Sequence, residues 1–258
     1  MTNYRQLSIY EKNQLLKYGL QEKDLLAKGE LPVEYLTGFV NFKNLDVEVN
    51  SHVLIPRVET EELVELVIKI MPFVAKQISY LEIGTGSGAI SLALFNYFLH
   101  QSGFSLKKFV LTDISKDALH LAKENFLRLF GKEQIAKIQF LHSNLLASLF
   151  GQQFNVIVAN LPYIPSSKIN NLAKSVREYE PLLALNGGAT GFDLINQLLK
   201  QILAKNLLDQ NGKIFLEVDE GHDLTFIKTK FPVINQQYLI TQFIDQFDRH
   251  RFLVLEKK

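Results

Sequence analysis

The 258-residue chain contains no cysteine. Disulfides, thiolate zinc sites and thiol nucleophiles are thereby excluded, and a reducing cytoplasm is the compartment this composition suits. An excess of one charge is missing too: the formal net charge is +1, and neither sign is massed along the chain. Nothing in the charge pattern calls for a nucleic-acid or anionic-membrane partner. No run approaches the ~18 apolar residues of a membrane span, and the opening stretch "MTNYRQLSIYEKNQ" is polar, so neither insertion nor export is expected. His52, His100, His120, His142, His222 and His250 are scattered without metal-ligand spacing. No metal site is expected.

What is present is enough apolar residue, 47% against 21% charged, to bury one large core and a small accessory region. Two short helical patterns, 7–18 and 21–28, each run into a glycine stop, Gly19 and Gly29. From 31 to 55 the pattern loosens to alternation around "VNFKNLDVEVN", which predicts a hairpin turning near Lys43 and Asn44. A helix is expected from about Thr60, with Glu61 and Glu62 in its first turn and Leu63, Val64, Val67, Ile68 and Met71 on one stripe. From Ile78 onward strand-like runs ("ISYLEIG", "FVLTDI", "KIQFLH", "FNVIVAN", "KIFLEV") alternate with helical patterns at 89–99, 116–130, 192–208 and 224–231, and a short helix is expected near Leu145. Such alternation predicts an α/β fold with a parallel sheet covered on both faces. Apolar stretches at 237–240 and 252–255 close the chain as an antiparallel hairpin at the sheet edge. The expected organisation is a helical region over 1–30, a hairpin with a connecting helix over 31–72, and the α/β domain over 73–258.

Within that domain "LEIGTGSGAI" reads as strand, glycine turn and helix start. Gly84, Gly86 and Gly88 remove side chains where the backbone bends and a ligand must come close, and the helix amides beyond offer donors. Gly84, Gly86 and Ala89 also satisfy a relaxed dinucleotide fingerprint, so the loop alone does not choose its ligand. Asp113, at the end of the second strand of the α/β domain, suits the two hydroxyls of a ribose; preceding or capping the helix that begins after Ser115 is the other reading. Glu82 is an acid at a buried strand position and requires a partner, for which an ammonium group would serve. "VANLPYIP" at 158–165 leaves a buried strand at Asn160 and turns at once, where open α/β sheets place ligands. Taken alone, it also reads as a proline turn whose asparagine bonds its own backbone.

"LEIGTGSG", "TDIS" and "NLPY", in that order, resemble the class I S-adenosylmethionine-dependent methyltransferases. The resemblance implies a Rossmann-like fold with a mostly parallel seven-stranded sheet and an antiparallel edge strand, preceded here by a small helical region. It also implies that Glu82, Gly84, Thr85, Gly86, Ser87, Gly88, Asp113, Asn144, Leu145 and Asn160 hold the methyl donor, S-adenosylhomocysteine being the product. A narrower set of motifs is similar to the release factor glutamine N5-methyltransferases: "PVEYLTGFVNF" at 32–42, "VLIPRVETEELVE" at 53–65, "EYEPLLALNGGATGFDLI" at 178–195, and Asp245 with Arg251 in "DQFDRHRFLVLEK". That family methylates the glutamine of a Gly-Gly-Gln loop in peptide chain release factors, a protein partner that requires neither nucleic acid nor membrane. Three departures stand out: a shorter amino-terminal region, Asn144-Leu145 where the family has an aspartate and often an aromatic, and N-L-P-Y for N-P-P-Y.

N-L-P-Y is also found in the ribosomal-RNA adenine dimethyltransferases, but those have a proline in place of Thr85 and lack "LIPRVETE" and "EPLLALNGG". Near-neutral charge also disfavours them. A silent S-adenosylmethionine-binding module and a nicotinamide oxidoreductase remain as other classes, the latter without a recognisable hydride-transfer site. By the family reading, the Asn160 side-chain oxygen and the Leu161 carbonyl accept the two N–H bonds of the substrate amide, Tyr163 packs on the amide plane, and Pro162 stiffens the loop. Arg57 and Glu59 are assigned to a segment folding over cofactor or substrate, with a structural ion pair as their other reading.

Overall fold

The computed structural model describes residues 5–71, 77–103 and 105–258. Helix α1 (Ile9–Lys17) starts at a capping box in which Ser8 and Glu11 each satisfy the other's backbone N–H, and α2 (Glu22–Leu26) follows. Both end as expected, Gly19 and Gly29 taking φ of 71° and 66°. The next helix, α3 (Val33–Thr37), falls in the stretch expected to be loose. Its five residues lie between Pro32 at the N-cap and left-handed Gly38, too few to show a helical period.

Strands β1 (Phe39–Phe42) and β2 (Leu45–Glu48) pair antiparallel with Phe42 opposite Leu45. Lys43 and Asn44 between them have φ of 48° and 62°, the two left-handed residues of a type I′ turn, which matches the twist of the strands. Val40, Phe42 and Val47 enter the same core cluster as Phe95 and Phe126. Fully buried Asn125 anchors this hairpin: its Nδ2 donates to the Glu48 carbonyl at 2.9 Å and the Ser87 carbonyl at 3.0 Å, and its Oδ1 accepts from the Glu48 N–H at 2.8 Å. The hairpin is thus tied to the glycine loop. Helix α4 (Val58–Ile70) begins two residues before Thr60, with Glu59 and Glu61 in its first turn. The boundary expected between residues 72 and 73 lies outside the described residues.

The remaining elements are β3 (Gln77–Ile83), α5 (Ala89–Leu99), β4 (Ser105–Asp113), α6 (Lys116–Ile135), β5 (Gln139–His142), β6 (Phe154–Ala159), α7 (Lys174–Tyr179), α8 (Asp193–Ala204), β7 (Leu208–Glu217), α9 (Leu224–Lys230), α10 (Pro232–Gln237), β8 (Tyr238–Ile244) and β9 (His250–Lys257). Among the described residues the main sheet has seven strands in the order β5-β4-β3-β6-β7-β9-β8. The first five run parallel; β9 is antiparallel to both β7 and β8, so the edge hairpin places its antiparallel strand one position inward. One core lies on each face. Helix α6 runs past Phe130 only after a break, because Gly131 takes φ 77° and ψ 174°. No helix forms near Leu145, whose φ of 49° is left-handed and turns the chain there.

Candidate active site

The chain passes from β3 to β4 and β5 on one side, then crosses to β6 on the other. The ends of β3 and β6 are therefore a topological switch point, where open α/β sheets leave a crevice. A cavity opens there, lined by Glu82, Gly84, Thr85, Gly86 and Ser87 from β3 and its loop, Asp113 from β4, Asn144 and Leu145 after β5, and Asn160, Leu161 and Pro162 after β6. Thr60 at the start of α4 and Pro181, Leu183 and Ala184 from the later loop complete one wall. Strand register brings the two chemical loops together. Ile83 pairs with Ala159, so Gly84 and Asn160 follow at neighbouring strand ends.

Gly84, Gly86 and Gly88 all have positive φ, of 72°, 55° and 83°. A Cβ at Gly84 would also stand 2.9 Å from Leu161 Cδ2, so that buried side chain would have to shift to admit it. Leu161 itself is 5% exposed and belongs to the hydrophobic core on that face.

Glu82 is fully enclosed, and one of its carboxylate oxygens accepts from Thr85 Oγ1 at 2.8 Å and from Ser91 Oγ. Burial pushes its carboxyl up to about 8 against those two hydrogen bonds, and the nearby Asp113 charge adds to the rise. No ion pair among the described residues reaches it. Asp113 holds the loop: its Oδ2 accepts from the Gly86 N–H at 2.9 Å and its Oδ1 from the Ser115 N–H at 2.8 Å. Burial raises its pKa, against those backbone donors. The helix cap is Ser115, which accepts from the Ala118 N–H at 3.1 Å. Asp113 therefore lines the cavity and orders the loop before α6 without capping that helix.

Asn160 does not bond its own backbone. Its Nδ2 donates to Thr60 Oγ1 at 3.2 Å, and Thr60 Oγ1 donates to Glu217 Oε2 at 2.8 Å. Tyr163 donates to the other oxygen, Glu217 Oε1, at 3.0 Å, and the Arg251 guanidinium lies 5.7 Å from the Tyr163 ring centre. Glu217 is 1% exposed; burial raises its pKa, while Thr60, Tyr163 and Arg251 counter the rise. Sequence reasoning passed over Thr60 and Glu217. Thr60 lies inside the quoted "VETEE", and Glu217 is an acid ending an apolar strand, the same signal that singled out Glu82.

Gly88, Tyr163, Arg57 and Glu59 are not among the described residues that line the cavity; a Cβ at Gly88 would lie 3.3 Å from Ala122 Cβ, so that glycine serves close packing on α6. Tyr163 turns its hydroxyl inward to Glu217. Arg57 pairs with Glu180 at 2.5 Å and Glu59 with Arg249 at 2.8 Å. Arg249 also pairs with Asp245 at 2.7 Å, whereas Arg251 lies 3.6 Å from Asp245 and donates to the Val218 carbonyl. The first turn of α4 with its N-cap thus grips three separate segments through Arg57, Glu59 and Thr60. The glycines of "LNGGATG" have a packing cause as well: a Cβ at Gly187 would lie 2.6 Å from the Pro162 carbonyl oxygen and 2.8 Å from Tyr163 Cα. Backbone bonds from Ile164 to Leu185 and from Gly187 to Ile164 join the two loops.

Among the described residues no cluster of three potential metal ligands occurs, and no helix is long and apolar enough to cross a membrane. A family model for a methyltransferase domain matches residues 75–234. The human methyltransferase 10 domain containing protein superposes with a TM-score of 0.56 at 13% identity, covering 97% of this chain and 99% of that one, which shows the fold. A release factor glutamine methyltransferase of Lactococcus lactis subsp. lactis is 37% identical over 72% of this chain and 63% of its own length. One of Koribacter versatilis is 34% identical over 79% of this chain and 70% of its own length. On that identity and coverage, together with the domain match and the shared fold, this chain belongs to the release factor glutamine methyltransferase family.

Proposed function

We propose that the protein transfers a methyl group from S-adenosylmethionine to the side-chain amide nitrogen of the glutamine in a release factor Gly-Gly-Gln loop, acting in the cytoplasm. The residues of the cavity fit the methyl donor. Glu82 is a buried acid without a cationic partner among the described residues, Asp113 lines the same cavity, and glycines at 84 and 86 leave the backbone bare. Glu82 would face the donor's ammonium, Asp113 its ribose, and Asn144 with Leu145 its base; the reading is supported by what each can accept or bury. When bound, S-adenosylmethionine supplies an electrophilic methyl group on a sulfonium.

The observation that carries the reading is the state of Asn160. Its amide N–H is taken up by Thr60, and its Oδ1 has no donor among the described residues. An amide nitrogen is a weak nucleophile because its lone pair is delocalised, so the site must orient it and favour positive charge on it. Asn160 Oδ1 and the Leu161 carbonyl do this as acceptors for the two substrate N–H groups. One of those protons is lost to solvent as the N–C bond forms and the S–C bond breaks. Tyr163 contributes from behind, by holding Glu217.

The test is incubation with S-adenosylmethionine and purified release factor, followed by mass spectrometry of the Gly-Gly-Gln peptide. One added methyl is expected on the glutamine, and Asn160→Ala should abolish it while S-adenosylmethionine still binds. Methylation of ribosomal RNA in a parallel reaction, with none on the release factor, would overturn the assignment.

A further inference from the structure

We infer that Thr60 and Glu217 form a positioning relay that sets which end of the Asn160 amide faces the cavity. The inference rests on the acceptor role proposed for Asn160 and extends it to two residues that do not touch the reacting atoms. An asparagine amide is nearly symmetrical in shape but not in chemistry: one end donates and the other accepts. Packing alone cannot distinguish the two, whereas a neighbour of fixed polarity can.

Thr60 has a single hydroxyl proton, and the acceptor beside it decides where that proton goes. Glu217 accepts at both oxygens, Oε2 from Thr60 at 2.8 Å and Oε1 from Tyr163 at 3.0 Å. A carboxylate receiving two hydroxyl donors has no proton to give back. With its proton committed to Glu217, Thr60 Oγ1 can only accept from Asn160. Asn160 must then turn Nδ2 toward Thr60, at 3.2 Å, and leave Oδ1 for the cavity that it lines. Thr60 is 4% exposed and Glu217 1%, so the bond between them is shielded from solvent. If the Thr60 proton turned toward Asn160, the amide would flip and present N–H to a substrate N–H. Two donors would then face each other.

The residues lie 100 and 157 positions apart along the chain, and three elements meet to make the relay: the first turn of α4, the loop after β6 and the end of β7.

Thr60→Val keeps the shape and removes both the proton and the lone pairs; Thr60→Ser keeps the hydroxyl. Turnover is measured per S-adenosylmethionine-binding site, counted by equilibrium binding, so that loss of folded protein does not register as lost rate. T60V should lower kcat roughly 10–100-fold, the scale for a misplaced reacting group, with KM for S-adenosylmethionine within about twofold. T60S should recover most of that loss. Glu217→Gln accepts at one end only, so Thr60 and Tyr163 can no longer both donate; it should lower kcat likewise without weakening cofactor binding. A T60V enzyme whose kcat stays within about threefold of the parent, or a T60S enzyme as slow as T60V, overturns the relay. Asn160→Ala is run alongside. If N160A turns over normally, the acceptor role itself fails; if N160A is inactive while T60V is unimpaired, only the relay fails.

Discussion

Raising the pH from about 6.0 to about 7.5 should tighten S-adenosylmethionine binding by about twentyfold, and Glu82→Gln should remove that dependence. The magnitude follows from the burial of one carboxyl. Glu82 is 1% exposed, and its pKa is pushed from 4.5 up to about 8, first by burial. To face an ammonium group it must ionise, and that costs about 1.4 kcal/mol for each pH unit below its pKa. At about pH 6.0 the penalty is about 3 kcal/mol, on the order of a hundredfold in affinity; at about pH 7.5 it has shrunk to a few-fold. The window stops there because an α-amino group titrates near 7.7–8.0 and the ligand would begin to lose its own charge.

Isothermal titration calorimetry in buffers of different ionisation enthalpy reads both quantities, the affinity and the release of close to one proton per ligand near pH 6. The same group acts on stability with the opposite sign to an ordinary salt-bridged carboxylate. Between about 4.5 and about 8 the native protein keeps a proton that the unfolded chain has released, so the unliganded protein should lose stability as pH rises through that range. Saturating S-adenosylmethionine should cancel the loss. Wild-type affinity that is flat across the window, or a pH dependence that survives in E82Q, would refute the assignment of Glu82 to a cation.

Asp113→Ala should weaken S-adenosylmethionine binding by about 1.5–3 kcal/mol, the worth of charge-assisted bonds; an unchanged dissociation constant in calorimetry removes the ribose assignment. Gly187→Ala would place a Cβ 2.5 Å from the Gly191 carbonyl oxygen and 2.6 Å from that of Pro162, both backbone atoms. It should cost about 1–3 kcal/mol of stability and lower kcat more than cofactor affinity, seen by thermal melting beside turnover. Asn125→Ala leaves the Glu48 N–H and two carbonyls without their partner, and should destabilise the protein by about 2–4 kcal/mol in urea unfolding.

Much of this arrangement was readable from local chemistry. The left-handed pair Lys43 and Asn44, helix α5 from Ala89 to Leu99, and the alternation of β3 to β7 with helices each follow from neighbours within a few residues. Strand register then brings Gly84 beside Asn160, so the cofactor loop and the acceptor loop could be guessed as partners from the order of strands. Other features depend on contacts that no local window contains. Glu217 acquires its role only when β7 lies beside β6 and α4 crosses their ends. Arg57 and Glu59, read from the sequence either as part of a segment folding over cofactor or substrate or as a structural ion pair, form ion pairs with Glu180 and Arg249 outside the cavity. A short helix is expected near Leu145 from the sequence; the turn after β5 holds that residue at φ 49° instead.

Asn125 has a consequence for the order of assembly. It lies 77 residues downstream of Glu48, and the strands it anchors belong to the same buried cluster as Phe95 and Phe126. Chain synthesis produces the hairpin early, but its docking site does not exist until β3, β4 and most of α6 have emerged. An isolated two-stranded hairpin is marginal in water. The first β-structure to be made thus waits for a partner 77 residues downstream before it is held in place. The glycine loop, whose Ser87 carbonyl shares the same asparagine, is completed in that step, so docking of the hairpin and competence to bind the methyl donor should arise together in folding.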